Sequence, residues 1–423
     1  MPNNSGLRLE VEQPGGEGSW CAAIFCSMDL FDSLVWQCAD TPEQAREWAL
    51  DGLQELRDDI NAFLGENGRD ATHREPTIRD AVRDLPKVHC TAMSHEGDII
   101  LFGAGDVGHF AIASLEAVGR HPVAFADNNE RLWGHEVCGL PVLSPDEAAK
   151  RYPDGKFVLS VGGLSKGAAI SEQLAGLFRR IADYRWFTPI PQDEDFGQRL
   201  QSVWADEQSR RVCVSRLGSF PVPCPTSDPD EIYFPRDLFR LHDHEVFVDC
   251  GAFDGDTFLE FRQRVDGFVG YHAFEPDPTN YRRLVNCLSH YPVIADKITH
   301  RQVAVNDGAT CASFSALGTV SSGLTAHGNI EVSCCRLDDV AFPEPPTFVK
   351  MDIEGGEVAA LRGAEKLIRE HRPILAICTY HRPNHIWEVP LWIAGLGVGY
   401  RVYLRGYRDE GSETVCYGVP EGR

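Results

Sequence analysis

One stretch decides the fold of this chain, and it reads Val246-Phe247-Val248-Asp249-Cys250-Gly251-Ala252-Phe253-Asp254-Gly255-Asp256-Thr257. Three apolar residues lead to an acid, as in a buried parallel strand that ends at a polar edge. A turn with two glycines follows, and from Thr257 the apolar residues recur at helical spacing. The stretch therefore predicts a strand, a tight turn and a helix N-terminus, in which the glycines let a nucleotide-like ligand approach the backbone.

The side chains of this turn favour a cationic ligand over a phosphate group. Asp249, Asp254 and Asp256 are predicted to form an acidic rim, and the turn lacks the lysine of phosphate-binding loops. The next apolar strand is followed by Glu275, at the place where Rossmann-like sheets carry the carboxylate that binds ribose hydroxyls. We therefore expect Glu275 to bind the ribose of the ligand.

Two later strands are predicted to end in polar residues at the same edge of the sheet. The strand predicted over residues 348–351 is followed by Asp352, Glu354 and Glu357, and residues 374–378 are followed by Thr379-Tyr380-His381. Residues 301–308 are predicted to form a further strand and turn that contains Asn306. Because open parallel sheets bind ligands at the carboxyl ends of their strands, these residues are expected to share one site.

These motifs resemble the FkbM-type family of S-adenosylmethionine-dependent methyltransferases. The matching pieces are Asp249-Cys250-Gly251-Ala252-Phe253-Asp254-Gly255-Asp256-Thr257, Phe274-Glu275-Pro276, Lys350-Met351-Asp352-Ile353-Glu354-Gly355-Gly356-Glu357 and Thr379-Tyr380-His381. The resemblance runs from about Glu245 to the C-terminus. It implies a class I methyltransferase-type sheet and methyl transfer to an oxygen, commonly on sugars, glycolipids or polyketide-like natural products.

The cofactor site implied for S-adenosylmethionine lies around the first two strands of this region. The acidic turn suits the positive charge of a sulfonium donor. In related folds Asn306 or Asp307 would lie near the adenine, although turn formation explains both residues equally well. The predicted cofactor-binding residues are Asp249, Gly251, Phe253, Gly255, Asp256, Thr257, Glu275 and Asn306.

The predicted catalytic residues are His381, Asp352 and Glu354. His381 is predicted to be the general base, because an unperturbed histidine pKa of about 6.5 suits proton removal at neutral pH. A structural histidine is the alternative. The set Asp352, Glu354, His381 and His385 could also bind a divalent cation that acidifies the acceptor hydroxyl. Glu357 is adequately explained as an acid that stabilises a helix N-terminus.

A second nucleotide-type motif lies in the N-terminal half. An apolar strand leads into Gly103, Gly105 and Gly108 at the predicted head of a helix, and Asp127 ends the next strand. With Gly139-Leu140-Pro141-Val142 and the residues up to Gly163, the region resembles the Rossmann-like domain at the start of bacterial sugar O-acyltransferases. The interpretations that stay open are a domain without a ligand, a nucleotide or nucleotide-sugar site, and an NAD(P) site.

The sequence therefore predicts an α/β protein with two Rossmann-like domains. Residues 1–95 are predicted to be a helical region, with about 18 frayed residues followed by an amphipathic helix over residues 41–64 that could make an oligomer contact. Residues 96–188 are predicted to form the nucleotide-binding-type domain. Residues 189–244 are predicted to form a connector with short helices, in which Tyr233-Phe234-Pro235 and Leu238-Phe239 pack against the methyltransferase domain as its lead-in. Residues 245–423 form the methyltransferase domain.

Composition limits the partners and the location. The net charge of -23 over 423 residues disfavours nucleic acid and anionic membranes, both of which require Lys and Arg. Without a long apolar run or a signal-like start, the protein is expected to be cytoplasmic, with its 14 cysteines reduced.

The predicted function is that of an O-methyltransferase that uses S-adenosylmethionine and acts on a small-molecule or glycan acceptor. The alternative is a nucleotide-sugar- or NAD(P)-binding protein whose methyltransferase domain is degenerate.

Overall fold

The computed structural model forms two compact units, one from Met1 to Ile190 with Leu217–Pro223, and one from Pro191 to Arg216 with Cys224–Arg423. The structure describes residues 7–12, 20–26, 37–39, 76–82, 97–161, 170, 173, 181–183, 191, 193, 195–217, 224–265, 267–316, 318–319, 322–324, 328–408 and 413–423. In these ranges no helix has both the length and the apolar character of a membrane span.

The N-terminal unit contains a six-stranded sheet in the order β6-β7-β5-β4-β8-β9, preceded by a three-stranded antiparallel sheet, β1-β2-β3. Its large sheet is parallel except for the β6–β7 pair. The elements are β1 (Leu7–Glu12), β2 (Trp20–Cys26), β3 (Gln37–Ala39), β4 (Ile99–Phe102), α1 (Asp106–Ala117), β5 (Pro122–Ala126), a 3-10 helix (Glu130–Leu132), β6 (Glu136–Val137), β7 (Leu140–Leu143), α2 (Pro145–Arg151), β8 (Lys156–Leu159) and β9 (Ile181–Asp183).

The first 95 residues differ from the sequence-based expectation. Frayed residues were predicted at the start, but Leu7–Glu12 pairs with the strand that follows it. The sequence explains this strand, because apolar and charged residues alternate with a period of two in Leu7-Arg8-Leu9-Glu10-Val11-Glu12. The description of residues 1–95 as helical is therefore wrong for β1, β2 and β3, while the helix predicted over residues 41–64 lies outside the described residues.

The C-terminal unit is built on a seven-stranded sheet in the order β12-β11-β10-β17-β18-β20-β19. All seven strands run in the same direction except β20, which is antiparallel to β18 and to β19. The strands are β10 (Val246–Cys250), β11 (Gly270–Phe274), β12 (Ile298–Arg301), β17 (Phe348–Met351), β18 (Ile374–Cys378), β19 (Tyr400–Gly406) and β20 (Thr414–Pro420). The predicted α/β class, with two Rossmann-like sheets and a methyltransferase-type C-terminal sheet, is confirmed.

The helices and a smaller sheet complete this unit. The helices are α3 (Phe196–Val203), α4 (Glu207–Leu217), α5 (Asp256–Arg264), α6 (Pro278–Ser289), α7 (Glu357–Arg362), α8 (Glu365–His371) and α9 (His385–Gly395), with 3-10 helices at Pro229–Glu231, Pro292–Lys297 and Leu337–Asp339. The smaller sheet has the order β13-β16-β14-β15 and comprises β13 (Ala304–Val305), β14 (Cys311–Ser315), β15 (Gly323–Leu324) and β16 (Ile330–Cys335).

The strand order reverses between β10 and β17, and this position locates the site. The chain leaves β10 toward β11 on one side, whereas β17 lies on the other side. At such a switch point the two loops diverge and open a crevice at the carboxyl ends of the strands. All residues of β10 and β17 are buried, and Phe247 packs against Phe261 and Phe348 with ring centroids 4.9 and 5.1 Å apart. The strands that form this crevice are therefore held in place by a packed aromatic core.

Most of the predicted connector belongs to the C-terminal unit. Trp204 forms a β-bridge to Val402, and Thr226 forms one to Gly406, so both lie beside the edge strand β19. The buried Arg405 of this strand pairs with Asp206 at 2.6 Å and with Asp237 at 2.7 Å. The C-terminal unit thus begins before the boundary predicted at residue 245, and Trp204 and Thr226 pair with edge-strand backbone that would otherwise be unpaired.

Candidate functional site

The turn after β10 has the close contacts that its glycines allow. Gly251 has φ +78°, and a Cβ on it would lie 1.9 Å from the carbonyl oxygen of Asp352. Gly255 has φ +95°, and Phe253 adopts the left-handed region at φ 48°. The turns after β10 and β17 therefore touch at the switch point. Any side chain at position 251 would push them apart.

Asp249 was predicted to belong to an acidic rim, but the structure places it elsewhere. Its carboxylate is fully buried, accepts the Tyr271 hydroxyl at 2.7 Å and pairs with Lys350 Nζ at 3.0 Å. Lys350 also donates to the carbonyl of Gly251 at 2.8 Å. Burial opposes the charge of Lys350, but Asp249 and Asp352 overcome this effect and raise its pKa. The buried ion pair thus stabilises the turn from the protein interior. Of the other two acids predicted to form the rim, Asp254 is half-buried and Asp256 is exposed.

Glu275 connects the end of β11 to the glycine turn. Its Oε2 accepts the N–H of Phe253 at 2.9 Å, and its Oε1 accepts the N–H of Asp277 at 2.8 Å. The residue is 5% exposed, and burial raises the pKa of its carboxyl to about 7. Each carboxylate oxygen can accept a second hydrogen bond, so these contacts leave capacity for ligand hydroxyls.

Two other predicted cofactor residues have local roles. Thr257 is buried, and its N–H donates to Asp256 Oδ1 at 2.7 Å at the start of α5. Asn306 follows β13, and its Oδ1 accepts the N–H of Gly308 at 3.1 Å, which is the turn-forming alternative. The strand predicted over residues 301–308 is divided between the end of β12 and β13.

On the other side of the switch point, the three predicted catalytic residues meet. His381 Nε2 lies 3.3 Å from Asp352 Oδ1 and 3.3 Å from Glu354 Oε1. One ligand atom from each residue lies within 4.8 Å of the others, a grouping that could hold a metal ion. His381 is buried, whereas Asp352 and Glu354 are partly exposed. A ligand could therefore reach both carboxylates.

Glu357 has a larger role than the helix stabilisation expected of it. It is fully buried, and its Oε1 accepts the Nδ1–H of His381 at 2.7 Å. Its Oε2 lies 3.1 Å from His385 Nδ1. A carboxylate on one ring nitrogen fixes the histidine's orientation, here with Nε2 toward Asp352 and Glu354. His385 therefore contacts Glu357 and does not join the three-residue group, contrary to the predicted four-residue set.

The charges around His381 contradict the premise that made it a general base. Burial alone would lower the pKa of His381, but Glu354 and Glu357 overcome this effect and raise the pKa well above its usual value. A protonated imidazole has no lone pair with which to accept a proton. A cation that binds His381 Nε2 would displace the proton of that nitrogen into the solvent; otherwise His381 remains an imidazolium among these carboxylates.

Two tyrosines complete the group around Asp352, and the sequence did not identify either as functional. The Tyr233 hydroxyl donates to Asp352 Oδ2 at 2.7 Å, and the Tyr380 hydroxyl donates to Asp352 Oδ1 at 3.3 Å. Tyr380 also stacks beside His381, with ring centroids 4.1 Å apart. Its position in the Thr379-Tyr380-His381 motif could have indicated this role, whereas the sequence around Tyr233 gave no such signal.

In the N-terminal unit, the glycine motif has the geometry expected of it. Gly103 has φ +110°, and a Cβ on Gly105 would meet no atom within 4 Å. Asp127 Oδ2 accepts the N–H of Ala104 at 2.7 Å, and its Oδ1 accepts the N–H of Asn129 at 2.7 Å. A Cβ on Gly108 would lie 2.6 Å from the Gly103 carbonyl oxygen. The nucleotide or nucleotide-sugar expected here stays a prediction.

Comparison with known proteins finds a family match within the C-terminal unit. Residues 249–406 match the family model described as the methyltransferase FkbM domain. A search of curated protein sequences finds no match. The chain is similar to the crystal structure of methyltransferase FkbM from Methylobacillus flagellatus KT, with 22% identity and a TM-score of 0.50 over 81% of this chain and 97% of that chain. Residues 249–406 are therefore similar to methyltransferase FkbM domains, and the 22% identity to the solved structure shows a shared fold.

Two further solved structures have lower similarity. One is precorrin-6y C5,15-methyltransferase from Geobacter metallireducens GS-15, with 14% identity and a TM-score of 0.28 over 43% of this chain and 83% of that chain. The other is the Methanococcus jannaschii fibrillarin pre-rRNA processing protein, with 12% identity and a TM-score of 0.28 over 44% and 71%. The expected resemblance of the N-terminal half to sugar O-acyltransferases finds no support in these comparisons.

Proposed function

We propose that the methyltransferase domain transfers a methyl group from S-adenosylmethionine to a hydroxyl of a carbohydrate or carbohydrate-bearing acceptor, assisted by a divalent cation. One observation carries the proposal. The glycine turn with Glu275 and the group of Asp352, Glu354 and His381 lie on the two sides of one switch point. The proposed donor and acceptor sites would thus be adjacent, as a direct transfer between two bound molecules requires.

The residues on the donor side fit S-adenosylmethionine. Gly251 and Gly255 have positive φ angles that shape the turn tightly, since Cβ atoms there would meet Asp352 and Cys287. Glu275 would hold the ribose hydroxyls, and Asp254 and Asp256 would favour the positive charge. When bound, the donor supplies a methyl group on a cationic sulfur. The protein's part is to orient that methyl toward the acceptor and exclude water from it.

The residues on the acceptor side fit a divalent cation such as Mg²⁺ or Mn²⁺. Two carboxylate oxygens and one imidazole nitrogen are ligands that these ions accept. A bound cation lowers the pKa of a coordinated hydroxyl. Asp352, Glu354 and His381 would hold the ion, and Glu357 would orient His381. The carbohydrate class of the acceptor rests on the resemblance to FkbM-type enzymes.

Thermal-shift measurements test the proposed function. S-adenosylhomocysteine at 100 times its Kd should stabilise the protein by about 2.7 kcal/mol, and the matched probes are NAD and UDP-sugars. Stabilisation by NAD or UDP-sugars with no response to S-adenosylhomocysteine would favour the alternative of a nucleotide-binding protein with a degenerate methyltransferase domain. Chelation should abolish methyl transfer, and added Mg²⁺ or Mn²⁺ should restore it.

Donor binding should depend on pH through Glu275. Burial raises the pKa of its carboxyl to about 7, and the ionised form is the better acceptor for ribose hydroxyls. Affinity for S-adenosylhomocysteine should therefore be full above that pKa and fall about tenfold between about pH 8 and about pH 6. Calorimetry at the two pH values measures the change. A Glu275→Gln variant should bind more weakly and lose this dependence. An equally steep fall in that variant would assign the titration to another group.

A further inference from the structure

We infer that Tyr233 is a positioning residue of the active site, whose hydroxyl sets the orientation of the Asp352 carboxylate. The inference rests on the proposed cation site and extends it to a residue outside the family match, which covers residues 249–406. Tyr233 precedes the first strand of the catalytic sheet and belongs to the segment that the sequence assigned to a connector. That segment would thus supply part of the catalytic machinery.

The chain around Tyr233 is anchored to the two strands that form the switch point. The next residue, Phe234, packs its ring 5.9 Å from that of Phe247 on β10 and 5.5 Å from that of Phe348 on β17. Tyr233 itself is buried, and Lys350 Nζ lies 5.1 Å from the centroid of its ring. The phenol is therefore held between the Asp249–Lys350 ion pair and Asp352.

The backbone of Tyr233 adopts a strained conformation. Its φ is +66°, a left-handed conformation that bulky side chains rarely adopt. The tyrosine N–H donates to the Tyr417 hydroxyl at 3.1 Å, and that hydroxyl lies 2.6 Å from the Tyr407 hydroxyl. A buried network thus holds the strained residue in place. Strain of this kind persists only where the surroundings fix it, and it often accompanies a functional constraint.

The hydrogen bond from Tyr233 selects one of the two Asp352 oxygens. The hydroxyl donates to Oδ2 at 2.7 Å, whereas Oδ1 is the atom 3.3 Å from His381 Nε2. With Oδ2 held, the carboxylate cannot rotate freely, and Oδ1 stays directed at the group formed with Glu354 and His381. Groups that hold a metal-binding carboxylate in this way typically contribute about 10–100-fold to metal affinity.

The test compares Mn²⁺ affinity in the full chain carrying Tyr233→Phe or Tyr400→Phe. Tyr233→Phe keeps the ring and removes only the hydroxyl. Tyr400→Phe is the matched control, since its hydroxyl donates to the Pro373 carbonyl at 2.7 Å and does not touch Asp352. Electron paramagnetic resonance reports free Mn²⁺, and calorimetry with S-adenosylhomocysteine reports whether each variant is folded and retains its donor site.

We expect Tyr233→Phe to weaken Mn²⁺ binding about tenfold or more and to keep donor affinity within about twofold, with the control unchanged in both. Wild-type Mn²⁺ affinity in Tyr233→Phe, combined with its loss in Asp352→Asn, would overturn the role of Tyr233 and leave the cation site intact. A wild-type protein that binds no Mn²⁺ would overturn the cation site and the role of Tyr233 together, while donor binding would still test the methyltransferase function.

Discussion

The Lys350→Met variant is expected to lose about 3–5 kcal/mol of unfolding free energy, because it leaves the Asp249 carboxylate buried without a counter-ion. Both side chains are almost fully buried, at 2% and 0% exposure. The lysine also donates to the carbonyl of Gly251, so its loss removes a bond that shapes the donor turn. Urea denaturation followed by circular dichroism measures the loss. S-adenosylhomocysteine affinity should fall as well.

The control for this variant is Lys366→Met, which changes an exposed lysine on α8 and should alter stability by less than about 0.5 kcal/mol. A second variant isolates the cause. Lys350→Met combined with Asp249→Leu should recover stability relative to the single variant, since apolar replacement of a whole buried ion pair is often neutral. A loss below about 1 kcal/mol in the single variant would mean that Asp249 tolerates burial without Lys350.

The His381→Ala variant is expected to lower the rate of methyl transfer by about 10²–10⁴, because it removes a proposed ligand of the cation that activates the acceptor hydroxyl. It should keep S-adenosylhomocysteine affinity within about twofold. His381 belongs to the group after β17 and β18, whereas the donor turn and Glu275 follow β10 and β11. Loss of the imidazole should also weaken Mn²⁺ binding, because it removes one of three ligands. Single-turnover kinetics and calorimetry measure the two quantities separately.

His371→Ala is the matched control, since this histidine is exposed at the end of α8. It should change neither the rate nor the binding of donor and cation. A wild-type rate in His381→Ala at saturating acceptor, with or without chelator, would show that His381 is structural. Asp352 and Glu354 would then remain as the candidate functional groups of the acceptor site.

The sequence predicted those parts of the site that local patterns determine. A strand, a glycine turn and a helix start occupy adjacent residues, so Asp249–Thr257 was interpretable without knowledge of the rest of the chain. The strand ends at Asp352 and His381 were predicted in the same way. Their contact follows from the parallel sheet, in which neighbouring strands deliver their carboxyl ends to one edge.

The parts that were missed depend on contacts between distant residues. Asp249 ends an apolar strand and was therefore predicted to lie at the acidic rim, but it is buried with Lys350 and Tyr271 from other strands. Glu357 follows the pattern of a helix N-terminus, and only the fold shows that it contacts two histidines. Tyr233 was assigned to a connector, because nothing in the local sequence shows that it reaches Asp352.

Calorimetric titration of the full chain with S-adenosylhomocysteine tests the central claim most directly. The account predicts one donor site per chain, with affinity lowered by about 1–3 kcal/mol in Glu275→Ala through loss of charge-assisted hydrogen bonds. His381→Ala should bind like the wild type. No binding to the wild-type protein, or unchanged affinity in Glu275→Ala, would contradict the donor site proposed at the end of β10 and β11.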